Sequence, residues 1–140
     1  MIRETSLYVI GTPAPQPRPR MTRAGRAYNP PSADAWKSAT RAKWLEMGEP
    51  TFANGLRLRL HFVLPRPASH YTSKGALTKS APLRPVGKPD VDNLAKAVMD
   101  ALENAGAFAN DCAVLSLTVS KRYAMLPEGA GCLITLSEID

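Results

Sequence analysis

Acidic residues are missing from positions 51–88, a stretch with seven Lys/Arg and no Asp or Glu. Cysteine is nearly absent. Cys112 and Cys132 are the only two, too few for a disulfide scaffold. His61 and His70 are the only histidines, so no Cys/His cluster has zinc-ligand spacing. No apolar run approaches the roughly 20 residues of a membrane span. The opening Met-Ile-Arg-Glu-Thr-Ser leads into one short apolar stretch and then prolines, unlike a secretory leader. The expectation is a soluble, reduced, cytoplasmic chain with no membrane partner and no organic cofactor. Its 140 residues, 44% of them hydrophobic, suit a single domain with its own core.

What is present is charge, unevenly placed. Residues 1–88 carry 15 Lys/Arg against 4 Asp/Glu, and residues 89–140 carry 3 against 8, giving +11 and −5 and the total of +6. A basic chain of this kind predicts a polyanionic partner. Carboxylates repel phosphate, so an acidic block directly after the basic one calls for a reason, and a bound metal ion is one.

Local patterns predict the elements. Leu7-Tyr8-Val9-Ile10 marks a first strand within Glu4–Gly11. Prolines at every second position from Pro13 to Pro19 exclude helix and central strand, so residues 12–31 read as an extended basic loop with Arg18, Arg20, Arg23 and Arg26. Ser32 is a fitting N-cap for a helix over Ala33–Met47, with Trp36, Thr40, Trp44 and Met47 on one stripe and Gly48 and Pro50 as its stop. Leu56, Leu58, Leu60, Phe62 and Leu64 alternate with Arg57, Arg59 and His61, the pattern of a strand with one core face. Residues 65–89 form a second long basic loop, with Lys74, Lys79 and Lys88. Leu94, Val98, Ala101, Leu102 and Ala105 fall on one face of a helix from Asp92 to Asn104. Strands over Cys112–Tyr123 and Gly131–Ile139 follow. A turn around Leu126-Pro127-Glu128-Gly129 predicts an antiparallel hairpin in which Cys132 sits opposite Tyr123, far from Cys112. The order β-α-β-α-β-β implies an α+β domain, mostly antiparallel, with both helices on one face.

Chemistry concentrates in residues 88–114. Asp90 and Asp92 are two apart in an extended lead-in, which aims both carboxylates to one side, and Lys96 follows Asp92 by one helical turn. Asp111 comes after the helix and is expected to rejoin Asp90 when the chain folds back. Three converging carboxylates repel one another, so either some protonate or a divalent cation holds them. Oxygen-only ligands favour Mg²⁺, with Mn²⁺ as a substitute, over zinc. Such an ion beside basic loops points to phosphodiester hydrolysis, with Lys96 adding charge at the phosphate. Each residue also has a plainer reading: Asp90 or Asp92 as an N-cap, Asp92–Lys96–Asp100 as a solvated ladder, Asp111 as a turn residue. His61 and His70 read as a strand-surface and a loop residue, and Trp36 and Trp44 as core. Other functional classes remain open: a nucleic-acid-binding module without catalysis, and a hydrolase of small phosphorylated substrates, which leaves the basic half unused.

Lys88-Pro89-Asp90-Val91-Asp92-Asn93-Leu94-x-Lys96, then Asp100-Ala101-Leu102, then Asn110-Asp111 before a strand, resembles the RusA family of Holliday junction resolvases, small and often prophage-borne endonucleases. Gly11-x-Pro13 ahead of an arginine-rich run resembles it too. The resemblance covers most of the chain in element order and length, and it implies one endonuclease domain over residues 1–140. It implies that Asp90, Asp92 and Asp111 are the metal-binding aspartates, that Lys96 is the catalytic lysine, and that the protein is a Mg²⁺-dependent homodimer. Its substrate would be four-way junction DNA in a bacterial or phage setting. The family's usual Asp-Asp is here Asn110-Asp111, a departure in local charge. Paired opposed nicks suit a two-fold dimer. Arg18, Arg20, Arg23, Arg26, Lys74, Lys79 and Lys88 are the candidate backbone contacts.

Overall fold

Alternating burial builds the sheet, and the helices cover one side of it. The computed structural model describes residues 2–125 and 127–139. Strand β1, Glu4–Ile10, buries Thr5, Leu7 and Val9. Two-residue strands β2 (Arg20–Met21) and β3 (Ala27–Tyr28) pair with each other, followed by helix α1 (Asp34–Met47) and strand β4 (Leu56–Leu64). Helix α2 (Val91–Asn104), strand β5 (Val114–Tyr123) and strand β6 (Gly131–Glu138) complete the chain. The four long strands form one sheet in the order β1-β6-β4-β5. β6 is antiparallel to both β1 and β4, while β5 runs parallel to β4. This is a single-domain α+β fold with a mostly antiparallel sheet.

The core lies between this sheet and the helices. Leu58, Leu60, Phe62, Ile134 and Leu136 from the strands meet Trp36 and Trp44 of α1 and Leu94, Val98 and Leu102 of α2. Burying each large apolar side chain is worth about 1.5–3 kcal/mol. Thr40, fully buried, satisfies its hydroxyl on the Trp36 carbonyl at 3.0 Å. Gly48 ends α1 in the left-handed region at φ 65°, the C-terminal stop expected of it. Gly131 admits no side chain, since a Cβ there would lie 2.5 Å from the Val9 carbonyl oxygen.

Three local expectations need correction. The last two strands do not form a hairpin: β4 lies between β5 and β6, and Cys132 faces Val9 and Phe62 rather than Tyr123. A helix connects β4 to β5, and such a crossover permits a parallel pair. The more apolar β6 takes a central place, while β5, with Ser116, Thr118, Ser120 and Arg122, tolerates an edge. The seven residues between Tyr123 and Gly131 are enough to pass the end of β4. Leu126 of the expected turn lies outside the described residues. Ser32 is not the N-cap of α1. Pro31–Ala33 forms a 3-10 turn, and Ala33 precedes the helix without a side-chain cap. The first basic loop is not extended throughout, because β2 and β3 close a small hairpin through Thr22 and Gly25. The second basic loop is ordered by local contacts: Ala68–His70 is a 3-10 turn, Tyr71 bridges Leu77, and Arg66 donates to the carbonyls of Pro82 and Leu83 at 2.7 and 3.4 Å.

Candidate active site

The first turn of α2 carries the acidic pair. Asp90 occupies the N-cap position in extended conformation (φ −74°, ψ 146°), but its side chain makes no cap hydrogen bond. Asp92 lies in the first turn and Lys96 one turn later, and all three side chains belong to exposed residues. Among the described residues none of the three takes part in a salt bridge. The solvated i,i+4 ladder is therefore not formed. Asp100 turns away from it and pairs with Lys37 of α1. Two neighbouring carboxylates held open at a helix N-terminus, where the helix dipole favours negative charge, are free to take a cation.

The first basic loop is brought to this pair by a latch. The Gln16 amide donates to the Asn93 carbonyl at 3.0 Å, and the Gln16 side-chain oxygen accepts from Lys37 Nζ at 3.1 Å. Lys37 thereby joins the loop, α1 and α2 in one polar knot. The result is an open cleft of about 470 Å³ lined by Arg18, Asn29, Asp90, Asp92, Asn93 and Lys96, with Gln16, Pro17 and Pro19 as its loop wall. Of the seven basic candidates only Arg18 lines it. Arg20, Arg23 and Arg26 sit on or beside the β2–β3 hairpin that continues from the loop wall. Lys74 sits in the Thr72–Gly75 turn of the second loop, Lys79 follows the Tyr71–Leu77 bridge, and Lys88 stands two residues before Asp90. Nothing in the sequence pattern marks Gln16 or Lys37, because a contact between a proline-rich loop and two helices has no period.

Asp111 is not with the pair. Its backbone N–H donates to the Glu103 side chain at 3.0 Å, next to the last residue of α2. A helix of 14 residues is roughly 20 Å long. The strand after the helix does return beside it, but Asp111 precedes that strand. Its far end is the one near Asp90, where Lys121 Nζ donates to the carbonyls of Gly87 and Pro89 at 2.7 and 2.9 Å. Among the described residues no group of three His, Cys, Asp or Glu side chains is arranged to hold a metal ion. One chain thus brings together Asp90, Asp92 and Lys96, and leaves Asp111 a helix length away. Asn110 has a local task here, its side chain accepting from the Cys112 amide at 2.9 Å to cap the 3-10 turn Asp111–Ala113.

Neither histidine joins the site. His61 lies on the open sheet face, where Arg122 Nε donates to His61 Nε2 at 3.2 Å. An arginine cannot accept, so His61 Nδ1 carries the proton and donates it to Ser120 Oγ, and the serine is not activated by a base. Arg122 pairs in turn with Glu128, and that bond, with the Met125 amide, holds the Glu128 carboxyl down at about 2. His70 packs edge-on against Tyr123. Burial pushes the Cys132 thiol up to about 12, and Cys112 is exposed. No described helix is long and apolar enough to cross a membrane.

The site thus sets two open carboxylates beside a cationic loop in a small α+β protein. The profile of the family described as Endodeoxyribonuclease RusA matches residues 11–130, and the chain belongs to this family. It is also 30% identical over 125 residues to a Bacillus subtilis (strain 168) protein named "Uncharacterized protein YqaN", covering 85% of this chain and 87% of that one. Family membership implies endodeoxyribonuclease activity of the Holliday junction resolvase kind, in a class generally dependent on divalent metal.

Proposed function

We propose that the chain is a Mg²⁺-dependent endonuclease that resolves four-way DNA junctions as a homodimer, by paired symmetric nicks, with residues 1–140 acting as one cytoplasmic domain. The observation that carries this reading is the open pair Asp90 and Asp92 in one cleft with Lys96 and Arg18. The donor set fits the ion. Mg²⁺ is commonly held by one or two carboxylates and keeps several waters, so a two-carboxylate site open to solvent suits it, and Mn²⁺ accepts the same ligands. When bound, the ion supplies Lewis acidity at the phosphate and an activated water. The chain's own residues do the rest. Asp90 and Asp92 hold the ion, and Lys96 places a point charge at the phosphate as negative charge grows there. Arg18, Arg20, Arg23 and Arg26 continue along the DNA backbone, with Lys74, Lys79 and Lys88 as further contacts.

Asp111 enters this reading through a second copy. β5 is an edge strand, and on it Leu115 (65%) and Leu117 (45%) are exposed. It runs from the Asp111 end of the molecule to the Lys121–Pro89 contact beside Asp90. Antiparallel pairing of two such edges about a two-fold axis brings Asp111 of each copy toward the other's acidic pair and yields two equivalent sites. The test is incubation with a mobile four-way junction and a matched linear duplex, with and without Mg²⁺. Junction-selective cutting that needs the ion is expected, and it should vanish in Asp92→Asn while junction binding persists. Equal cutting by that variant, or cutting without any divalent ion, overturns the mechanism. Binding without cutting would leave a non-catalytic junction binder in its place.

A further inference from the structure

A cavity of about 600 Å³ lies between the 65–89 loop and the end of β5. Its walls are largely apolar, with Tyr71, Leu77 and Leu83 from the loop and Tyr123 from the strand. Leu83 is 78% and Leu77 52% exposed, an apolar surface left in water around a concave site. Three guanidinium groups stand at it. Arg66 lies 4.4 Å over the Tyr123 ring and is tied to the loop carbonyls, and Arg122 is tied to Glu128. Arg84 has no salt bridge among the described residues. The loop that supplies most of the wall contains no acid.

An occupant of this cavity has a flat apolar part for the tyrosine and leucine wall and negative charge for Arg84. An unpaired nucleotide has both. Bases stack on aromatic side chains and on guanidinium planes whatever their sequence. A base stacked inside intact duplex cannot enter, whereas one displaced at a strand exchange point can. Strand β5 links the two places: Lys121, two residues before Tyr123, is bonded to the Gly87 and Pro89 carbonyls beside Asp90. We infer that the cavity between the 65–89 loop and the end of β5 holds an unpaired nucleobase of the DNA substrate, a few nucleotides from the bond that is cut. This deepens the reading of the chain as a DNA nuclease and rests on it.

The test is photocrosslinking. A single-stranded oligonucleotide and a mobile four-way junction each carry 5-iodouracil, at successive positions on either side of the cut in the junction, and the attached residues are identified by mass spectrometry. Crosslinks to Tyr71 or Tyr123 are expected with both probes. Leu83→Glu sets a carboxylate at an exposed rim position, where folding is not at stake. It should abolish those crosslinks and weaken binding of the single strand by roughly tenfold. A junction that is cut normally while no crosslink reaches Tyr71 or Tyr123 overturns the inference and leaves the resolvase reading intact. Crosslinks to those tyrosines in a protein that cuts no junction support the cavity's ligand and sink the resolvase reading instead. If Leu83→Glu converts a dimer to a monomer with the crosslinks unchanged, the cavity is a contact between copies and the inference fails.

Discussion

The two ends of α2 carry the same residue types and use them differently. At the first turn Asp90 and Asp92 stand exposed, and Asp90 caps nothing although it occupies the cap position. At the last turn several polar groups are engaged. Glu103 accepts from the Asp111 amide, Asn110 caps the next turn, and Thr51 donates to the Gly106 carbonyl at 2.7 Å. Phe52 and Phe108 are buried beside them. The last turn is therefore an anchor and the first turn an opening. An acidic residue becomes available for chemistry when its neighbours leave it unpartnered, and spacing along the chain does not report that.

Substitution at each end sharpens the contrast. Asp92→Asn should lower junction cutting at least about a hundredfold, because it weakens the hold on the ion that stabilises charge at the phosphate, and a gel assay reads it directly. On the buried face of the same helix, Leu94→Ala removes a fully buried side chain and should cost about 2–5 kcal/mol in denaturant unfolding. Glu103→Gln at the anchored end should leave the cutting rate unchanged. A loss there as deep as that of Asp92→Asn would erase the distinction between the ends. Removing one arginine, Arg18→Ala, should weaken junction binding similarly for all sequences and reduce the slope of affinity against salt by about 1, as measured by titration at several ionic strengths.

The smallest effects are in pH. Cys132 ionises at about 12 in the fold against an ordinary 9.0, so the folded chain holds the proton longer. Its contribution is complete below pH 9 and is lost as pH rises from 9 toward 12. Cys132→Ala should flatten the alkaline limb of a stability profile. Glu128 is shifted the opposite way, to about 2 from 4.5, and its contribution is present above pH 4.5 and lost as pH falls toward 2. A native thiol assay should label Cys112 quickly and Cys132 only on unfolding.

Periodicity made much of this fold legible. The alternation of β4 and the stripes of α1 and α2 are local, and they fall where the spacing predicts. Strand order was not legible, because β5 and β6 adjoin in sequence and a short polar linker reads as a turn whether or not the strands pair. That error carried the position of Asp111 with it. A hairpin leaves the start of β5 undetermined, whereas parallel pairing with β4 sends it to the far end of the sheet from Asp90. The Asp90–Asp92–Lys96 cluster was legible because it is contained in one helical turn and its lead-in. The Gln16–Lys37 latch was not, since it depends on side chains meeting across three elements.

The most direct measurement uses mixed dimers. Chains carrying Asp92→Asn and chains carrying Asp111→Asn, co-expressed with different tags and purified as the heterodimer, are assayed on a mobile four-way junction with Mg²⁺. Each homodimer should be inactive. Sharing of carboxylates between copies predicts that the heterodimer regains one intact site and nicks a single strand. A heterodimer as inactive as its parents would contradict that sharing.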